Sequence, residues 1–592
     1  MPHRSTARYA ARGDAPWSSL FAPALRASLR GYRRSDLTRD ALAGAVVGVV
    51  ALPLSMALAI AVGAPPQAGL YTAIVGGFLA ATFGGSRMQV TGPTAAFIVI
   101  LAPIVDEFGM AGLLTAGLLA GLMLIAFGLL RLGRLIQFVP HPVTTGFSAG
   151  IAVVIALMQL KDLFGLDVSG GGGHGLGHAL NTMWEARSTA RWQEAAVGLS
   201  TLALLVGLPR ITRRVPAPVV VLPVIAAIAW ATSTFVDAFT VETIGTRFTW
   251  SLGNMVGHGI PSVPPAPALP WVLPGAGDEP FTLSVPVLRA LLPAAFAIAM
   301  LGAIESLLSA VIADGMSRTR HDPDAELVGQ GIANVVTPFF GGIPATGALA
   351  RTATNVRFGA RSPVAAMVHA AVVLLAVLAL APLVAFLPMA ALAGLLLLVA
   401  WNMSEARHFI HTLRVAPRGD VFVLVACFAL TILFDMVVAV TFGVVLSALI
   451  FMRRMAEVTS GGVTSGSEED MDEAGAEGVL VYRISGPLFF GAAQKAMASL
   501  QHIDDVPARG VVLRMEDVPS IDATGLVALE SALHELAERG VVVALSGLGP
   551  APLRLVTDAG LLDGVHVAAF ADRQDAMAFA AGTSRAGEAT GN

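Results

Sequence analysis

Thr91-Gly92-Pro93-Thr94-Ala95-Ala96, preceded by Phe83-Gly84-Gly85, returns in altered form far along the chain as Thr346-Gly347-Ala348, preceded by Phe340-Gly341-Gly342. Each copy reads as an extended stretch running into a short helix. Pro93 suits a first helical turn, where its missing N–H costs nothing, and Gly92 and Gly347 allow close backbone approach. The two copies predict half-helices whose N-termini meet at the centre of a bilayer. Free N–H groups and positive dipole ends there favour an anion. One such segment alone would pass for an ordinary Gly-Pro kink. Two, at matching places in the two halves of a chain, point to a binding site.

The surroundings of both copies are membrane-like. Of 592 residues 55% are hydrophobic and only 13% charged, against about 25% charged in a soluble chain. Mean hydropathy is +0.73. Too little polar surface is present to coat a water-soluble body of this size. From about Ala41 to Met452 we count roughly fourteen apolar runs, near 41–63, 68–84, 93–105, 111–130, 142–165, 192–209, 215–236, 285–313, 325–340, 347–357, 363–386, 388–402, 419–435 and 436–452. The echoed motifs sit in the third and the tenth. A repeat with an odd number of helices inverts its copy, so seven plus seven is an inverted repeat, a common plan of secondary transporters.

The loops give an independent check. With a cytosolic N-terminus, alternate gaps carry Arg87, Arg131 and Arg134, Arg210, Arg213 and Arg214, Arg318 and Arg320, Arg357 and Arg361, then Arg407, Arg414 and Arg418, and Arg453 and Arg454 follow the last run. The opposite gaps hold Asp106 and Glu107, Asp435, or no charge at all, and Lys161, Arg187, Arg191 and Arg247 lie on that outer side, mostly in longer loops where the rule is weak. This is the positive-inside pattern. It predicts an even helix count with both ends in the cytosol, in the cell inner membrane. The Arg-rich N-terminus shows no apolar stretch with a cleavage site. A net charge of −4 without a basic block argues against nucleic acid as a partner. A single cysteine, Cys427, excludes an internal disulfide, and the twelve histidines lack metal-ligand spacing. Neither a cofactor nor a metal is called for, and without a nucleophile–base set or nucleotide-binding loop the chain does not read as an enzyme.

Charged groups within the apolar runs are the next clue. Glu305 lies mid-span in the eighth run, with Ser309 one turn on along the same face. A carboxylate there costs a few kcal/mol unless paired or protonated. Arg351 lies one turn into the short tenth helix. We read Glu305 as a proton- or cation-coupling group and Arg351 as a partner to it or to the substrate. The bland alternative is a buried Glu–Arg pair that only locks helices. Asp314 is read as interacting with the loop after it, Asp322-Pro323 as a helix cap and first turn, His141 as interfacial, and Asp435 as lying at the outer interface.

After Met455 the composition changes. Residues 1–40 read as a cytosolic segment, 41–455 as the transmembrane domain, 456–478 as a Gly/Ser/acidic linker, 479–583 as a small α/β domain, and 584–592 as a disordered tail. Val479–Ile484, Val511–Met515 and Val541–Leu545 are β-rich, and Thr524–Glu538 and Ala551–Ala559 have helical periodicity.

Several stretches carry a family resemblance: Pro65-Pro66-Gln67-Ala68-Gly69-Leu70-Tyr71, Gly84 to Phe97, Pro140-His141-Pro142-Val143-Thr144-Thr145-Gly146-Phe147, and Ala303-Ile304-Glu305 through Arg351-Thr352-Ala353-Thr354-Asn355. They resemble the SulP (sulfate permease) anion-transporter family over about residues 40–580. Trp401-Asn402-Met403-Ser404-Glu405-Ala406 and Phe434-Asp435-Met436-Val437 are similar to its C4-dicarboxylate transporters. Ser485-Gly486-Pro487-Leu488-Phe489-Phe490 resembles the opening strands of a STAS domain. The resemblance implies fourteen segments in two inverted repeats of seven, forming a core and a gate. It implies an anion held between the starts of segments three and ten, at Thr94, Ala95, Ala96, Gly347, Ala348 and Arg351. It further implies a homodimer and an elevator-like motion of core against gate. Sodium-coupled bicarbonate members carry Asp at the place of Glu305 and Thr at the places of Ser309 and Leu349. Leu349 offers no side-chain oxygen, so a hard cation would lose a ligand here. That leaves proton symport, with Glu305 and Ser309 as the coupling group. In the soluble domain, Asp522-Ala523-Thr524 resembles the loop that carries a phosphorylatable residue in stand-alone STAS proteins. The bland alternative is a helix cap at Asp522 or Thr524. By the same likeness an acyl carrier protein is a candidate partner of this domain. Sulfate and bicarbonate remain open as substrates. A passive anion channel and a membrane-tethered signalling module remain open as other classes of function.

Overall fold

A computed structural model describes residues 20–136, 139–168, 176–212, 215–236, 239–252, 255–276, 280–434, 436–458, 460–463, 479–489, 493, 509–562 and 566–582. The chain divides into two compact units, 1–444 and 445–592.

In the first unit every predicted apolar run falls on helix. Among the described residues nine helices are long and apolar enough to cross a membrane. The first begins at Arg34, before the expected start at 41, because Asp36 caps its own helix by accepting from the Arg33 N–H at 3.1 Å. Asp40 is thereby drawn inside. It is fully buried and accepts from the Arg361 and Ser362 N–H groups at 2.6 and 3.2 Å. The third and fourth runs form one assigned helix, Ile98–Leu129, broken at Gly109 (φ 67°, ψ −169°). Asp106 and Glu107 end its first part instead of standing in a loop. The tenth run is helical only over Leu349–Arg357.

Both echoed motifs are extended where expected. Strand β1, Thr91–Gly92, pairs antiparallel with a second, Thr346–Gly347. The register is Thr91 with Gly347 and Gly92 with Thr346, so the same dipeptide meets its own copy head to tail. Two copies related by a two-fold axis in the membrane plane would pair in this way. A Cβ on Gly92 would collide with Arg351 Nη1, and one on Gly347 with the Gln89 side-chain amide. Both glycines therefore serve close approach, as read.

The helix Pro323–Val336 ties the two extended stretches together. Its Glu326, Gln330 and Asn334, one turn apart, form a buried polar stripe. Glu326 Oε2 accepts from the Gly85 and Ser86 N–H groups, both at 2.9 Å. Its Oε1 accepts from the side-chain amides of Gln89 at 2.8 Å and Gln330 at 3.0 Å. Gln330 also donates to Thr91 Oγ1 at 2.6 Å. Asn334 donates to the Ala345 carbonyl and accepts from the Ala345 N–H, both at 2.8 Å. A buried carboxylate with four donors is a satisfied one, and cutting it out would leave several unpaired groups. The two minor readings of this region hold. Asp322 Oδ1 caps the helix at Asp324 and Ala325, and Asp314 binds the loop residues Thr319 and His321. Asp435 lies outside the described residues.

The second unit has a five-stranded sheet. Its strands in spatial order are Ser460–Val463, Val479–Ser485, Gly510–Asp517, Val542–Ser546 and Val567–Phe570. The last four are parallel, and the first joins antiparallel at the edge. The expected linker at 456–478 thus contains a strand. Ser460, Gly461 and Gly462 have small side chains that an edge position tolerates, and the ladder to Val479–Ser485 outweighs their low strand propensity. Residues 464–478 and 584–592 lie outside the described residues. The helices Ala523–Glu538 and Pro550–Asp558 match the reading, and Arg573–Ala580 adds a further one.

Candidate functional site

A cavity of about 380 Å³ opens between the half-helix tips. One wall holds Pro93, Thr94, Ala95 and Ala96 from the first tip and Gly347 through Arg351 from the second. Glu305 joins this wall from the helix Val285–Ser317. Another wall comes from the helix His141–Met158, and residues from Asn402 to Glu405 close it.

At the first tip the chain turns from extended at Thr94 into a 3-10 turn, Ala95–Phe97, that continues as helix from Ile98. Groups at a helix start have no acceptor within the helix, and among the described residues the Ala95 and Ala96 N–H groups bond nothing else. Thr94 adds a hydroxyl, which donates to Glu305 Oε2 at 2.9 Å. This hydrogen bond is Glu305's single polar tie among the described residues, and it sits between substrate wall and carboxylate. Glu305 and the first tip are thus joined through one hydroxyl.

At the second tip the expectation needs correcting. Gly347 and Ala348 line the cavity, but their N–H groups are engaged elsewhere. The Gly347 N–H donates to Ser306 Oγ at 3.0 Å and the Ala348 N–H to the Val90 carbonyl at 2.9 Å. The free donors are one to three residues further on, at Leu349, Ala350 and Arg351, the first turn of the helix. The strand pairing takes up the two N–H groups that the sequence seemed to offer.

Of the two readings of Arg351, the structure does not show the pairing with Glu305. Among the described residues no ion pair joins it to Glu305. It is 3% exposed, and its Nη2 donates to the Pro93 carbonyl. Among the described residues Nε and Nη1 have no partner. A buried guanidinium with two idle donors beside a cavity is costly unless an anion arrives. Ser309 is corrected outright. It is fully buried, does not line the cavity, and donates to Thr352 Oγ1 at 3.2 Å. Thr352 in turn accepts from the Val90 N–H at 3.0 Å. Ser309 therefore braces the second half-helix and, among the described residues, makes no hydrogen bond to Glu305.

His141, read from the sequence as interfacial, is exposed and lines the cavity. Thr144, Thr145 and Ser148 line it too, and the sequence reading missed them. The signal was present: polar side chains at 141, 144, 145 and 148 share one face of an otherwise apolar helix. The same holds for Glu326, Gln330 and Asn334, at four-residue spacing in a run read only as apolar.

Asp522 and Thr524 belong to the second unit. Asp522 is the N-cap of the helix Ala523–Glu538, its Oδ1 accepting from the Gly525 N–H at 2.7 Å, and Thr524 is exposed in the first turn.

Comparison with known proteins gives the family. Residues 37–427 match the sulfate permease family and residues 471–576 the STAS domain. The putative sulfate transporter YvdB of Bacillus subtilis is 38% identical over 550 residues, covering 92% of this chain and 98% of that protein. The bicarbonate transporter BicA of Synechocystis is 31% identical, covering 86% and 88%. The solved transmembrane domain of a cyanobacterial BicA aligns with TM-score 0.58 at 28% identity, covering 70% of this chain and 98% of that one. The murine Slc26a9 anion transporter in its inward-facing state aligns with TM-score 0.79 at 20% identity, covering 98% and 96%, and so shares the fold. The fold is that of a polytopic helical membrane protein, and the family matched is one of transporters, not enzymes. The chain belongs to the sulfate permease family, whose named relatives carry sulfate or bicarbonate, and ends in a STAS domain.

Proposed function

We propose that this protein imports C4-dicarboxylates such as succinate and fumarate across the cell inner membrane by proton symport. The anion rests at the tips of the two half-helices, against Ala95, Ala96, the first turn from Leu349, and Arg351. Glu305 carries the proton. Fourteen segments, built as two inverted sevens, move a core against a gate, and two copies of the chain form the working unit. The N-terminus and STAS domain face the cytosol.

One observation carries the reading: Arg351, almost wholly buried and with two guanidinium nitrogens unpartnered among the described residues, lines the same cavity as Glu305. A site so built attracts a negative charge and sets a protonatable group within one hydroxyl of it. A carboxylate in such a place can be neutralised by a proton and so carry one. Leu349, lining the same cavity without an oxygen, favours a proton over sodium. A channel has no need of Glu305.

Sulfate or bicarbonate is the second reading, favoured by the names of the 38% and 31% identical relatives. Backbone N–H groups recognise charge and not a particular acid. Purified protein in proteoliposomes, given labelled succinate, fumarate, sulfate and bicarbonate with and without an inward-acid pH gradient, separates the readings. Succinate should accumulate above equilibrium only with the gradient, and a Glu305→Gln variant should lose that dependence. Gradient-driven uptake of sulfate alone would remove the dicarboxylate assignment; passive equilibration of every anion would make the protein a channel. For the STAS domain we infer regulation and partner docking, with an acyl carrier protein as the candidate. The Asp522 cap supports a structural role for that loop over a phosphorylation switch at Thr524.

A further inference from the structure

We infer that His141 is a specificity residue, reading the second carboxylate of an elongated dianion whose first carboxylate sits at the half-helix tips. The inference rests on the binding site proposed above and adds a second point of contact to it.

Size comes first. A cavity of about 380 Å³ has room for roughly a dozen waters at about 30 Å³ each. An anion of four or five heavy atoms leaves most of that space empty. A longer substrate would reach beyond the tips, and its far end needs donors once water is displaced.

Charge comes second. The titratable groups lining the cavity are Arg351, Glu305, Glu405 and His141. Arg351 is the only permanent cation among them, and it lies at the tips. Glu405 is exposed at the edge, where it repels a second negative charge. Of these four, His141 alone can donate to a carboxylate away from the tips.

The ring is held for such a role. Its Nδ1 lies 3.0 Å from Thr145 Oγ1, one turn on. With that hydroxyl donating to Nδ1, Nε2 carries the proton and becomes the ring's donor. The imidazole of His408 packs edge-on, at 5.0 Å between centroids and 70° between planes. Ser148 and Asn402 line the same space, and among the described residues neither side chain has a hydrogen-bond partner. Three donors thus stand idle on surfaces other than the tips, which a small monoanion would leave unused.

The test uses the full chain in proteoliposomes, with labelled succinate and labelled bicarbonate as probes. His141→Asn keeps an amide near Nδ1 and removes the Nε2 donor, whereas His141→Gln places an amide near Nε2. For Asn, the succinate KM should rise about tenfold more than the bicarbonate KM, and Gln should recover most of that difference. Equal losses for both anions, or Gln no better than Asn, would mark a structural role and overturn the inference. So would a wild-type succinate KM matched by His141→Asn, which would leave the tip site standing. A wild-type protein that carries no succinate overturns the dicarboxylate assignment together with this inference.

Discussion

The two half-helix tips carry versions of one Thr-Gly motif and differ in the groups they leave free. The first, at Thr94–Phe97, offers uncommitted backbone N–H groups and a hydroxyl bound to Glu305. The second has its leading N–H groups engaged by Ser306 and Val90, and it contributes a guanidinium. A dipole end recognises any anion weakly. A buried Arg with idle donors binds one strongly but is unhappy empty. Both tips thus keep free backbone N–H groups, but only the second adds a guanidinium, and on the proposed reading one anion meets both while Glu305 is tied to the tip that lacks the charge.

That asymmetry can be broken most forcefully at Arg351. Arg351→Gln should lower kcat/KM for substrate uptake on the order of 100-fold, from loss of about 3 kcal/mol of charge-assisted hydrogen bonding, with Arg351→Lys recovering part. Thr94→Val should cost uptake less than that while weakening the response to the pH gradient. Initial rates in proteoliposomes decide it, and the reverse order of severity would undo the division of labour.

Next comes the strap that serves both tips. Glu326→Gln leaves an amide N–H facing the donors from Gly85 and Ser86 or from Gln89 and Gln330. The expected cost is about 2–4 kcal/mol, read as a lower apparent melting temperature in detergent by intrinsic fluorescence. An unchanged melting curve would show that the tips hold their positions unaided.

The paired glycines sharpen the contrast. On Gly347 a Cβ would lie 2.6 Å from Gln89 Cδ and 3.1 Å from Ser306 Cα, within packed structure. On Gly92 it would meet the far end of the Arg351 side chain. Gly347→Ala should therefore lower thermal stability, while Gly92→Ala should chiefly raise the substrate KM by displacing the guanidinium. Equal thermal losses would mean that the two tips are packed alike.

The smallest effect concerns Ser309. Removing its bond to Thr352 by Ser309→Ala should cost about 1 kcal/mol of stability, with the pH-gradient dependence of uptake kept. Loss of that dependence would return Ser309 to the coupling machinery.

How far the sequence reached can be judged from single residues. Thr91-Gly92 and Thr346-Gly347 disclosed themselves because backbone breaks leave a local signature in composition. Glu305 and Arg351 did so because a charge in an apolar run stands out. Ser309 was misplaced because a one-turn spacing says which face a side chain shares, and not whether a neighbour already holds it. His141 was read as interfacial and Ser148 passed over although their spacing put them on one face, because nothing in a single helix says which face meets a cavity.

The sequence by itself determined the membrane class, the helical runs, the two interrupted segments and the soluble C-terminal domain. These follow from hydropathy, periodicity and turn chemistry, all of which act between near neighbours. Only the tertiary structure decided which N–H groups remain free, that Arg351 leans on Pro93 and not on Glu305, and that the helix after His141 forms a cavity wall. Those outcomes turn on hydrogen bonds between residues some 40 to 270 positions apart. Such donors and acceptors compete for one another only once the chain is packed, so the spacing along it cannot say who wins.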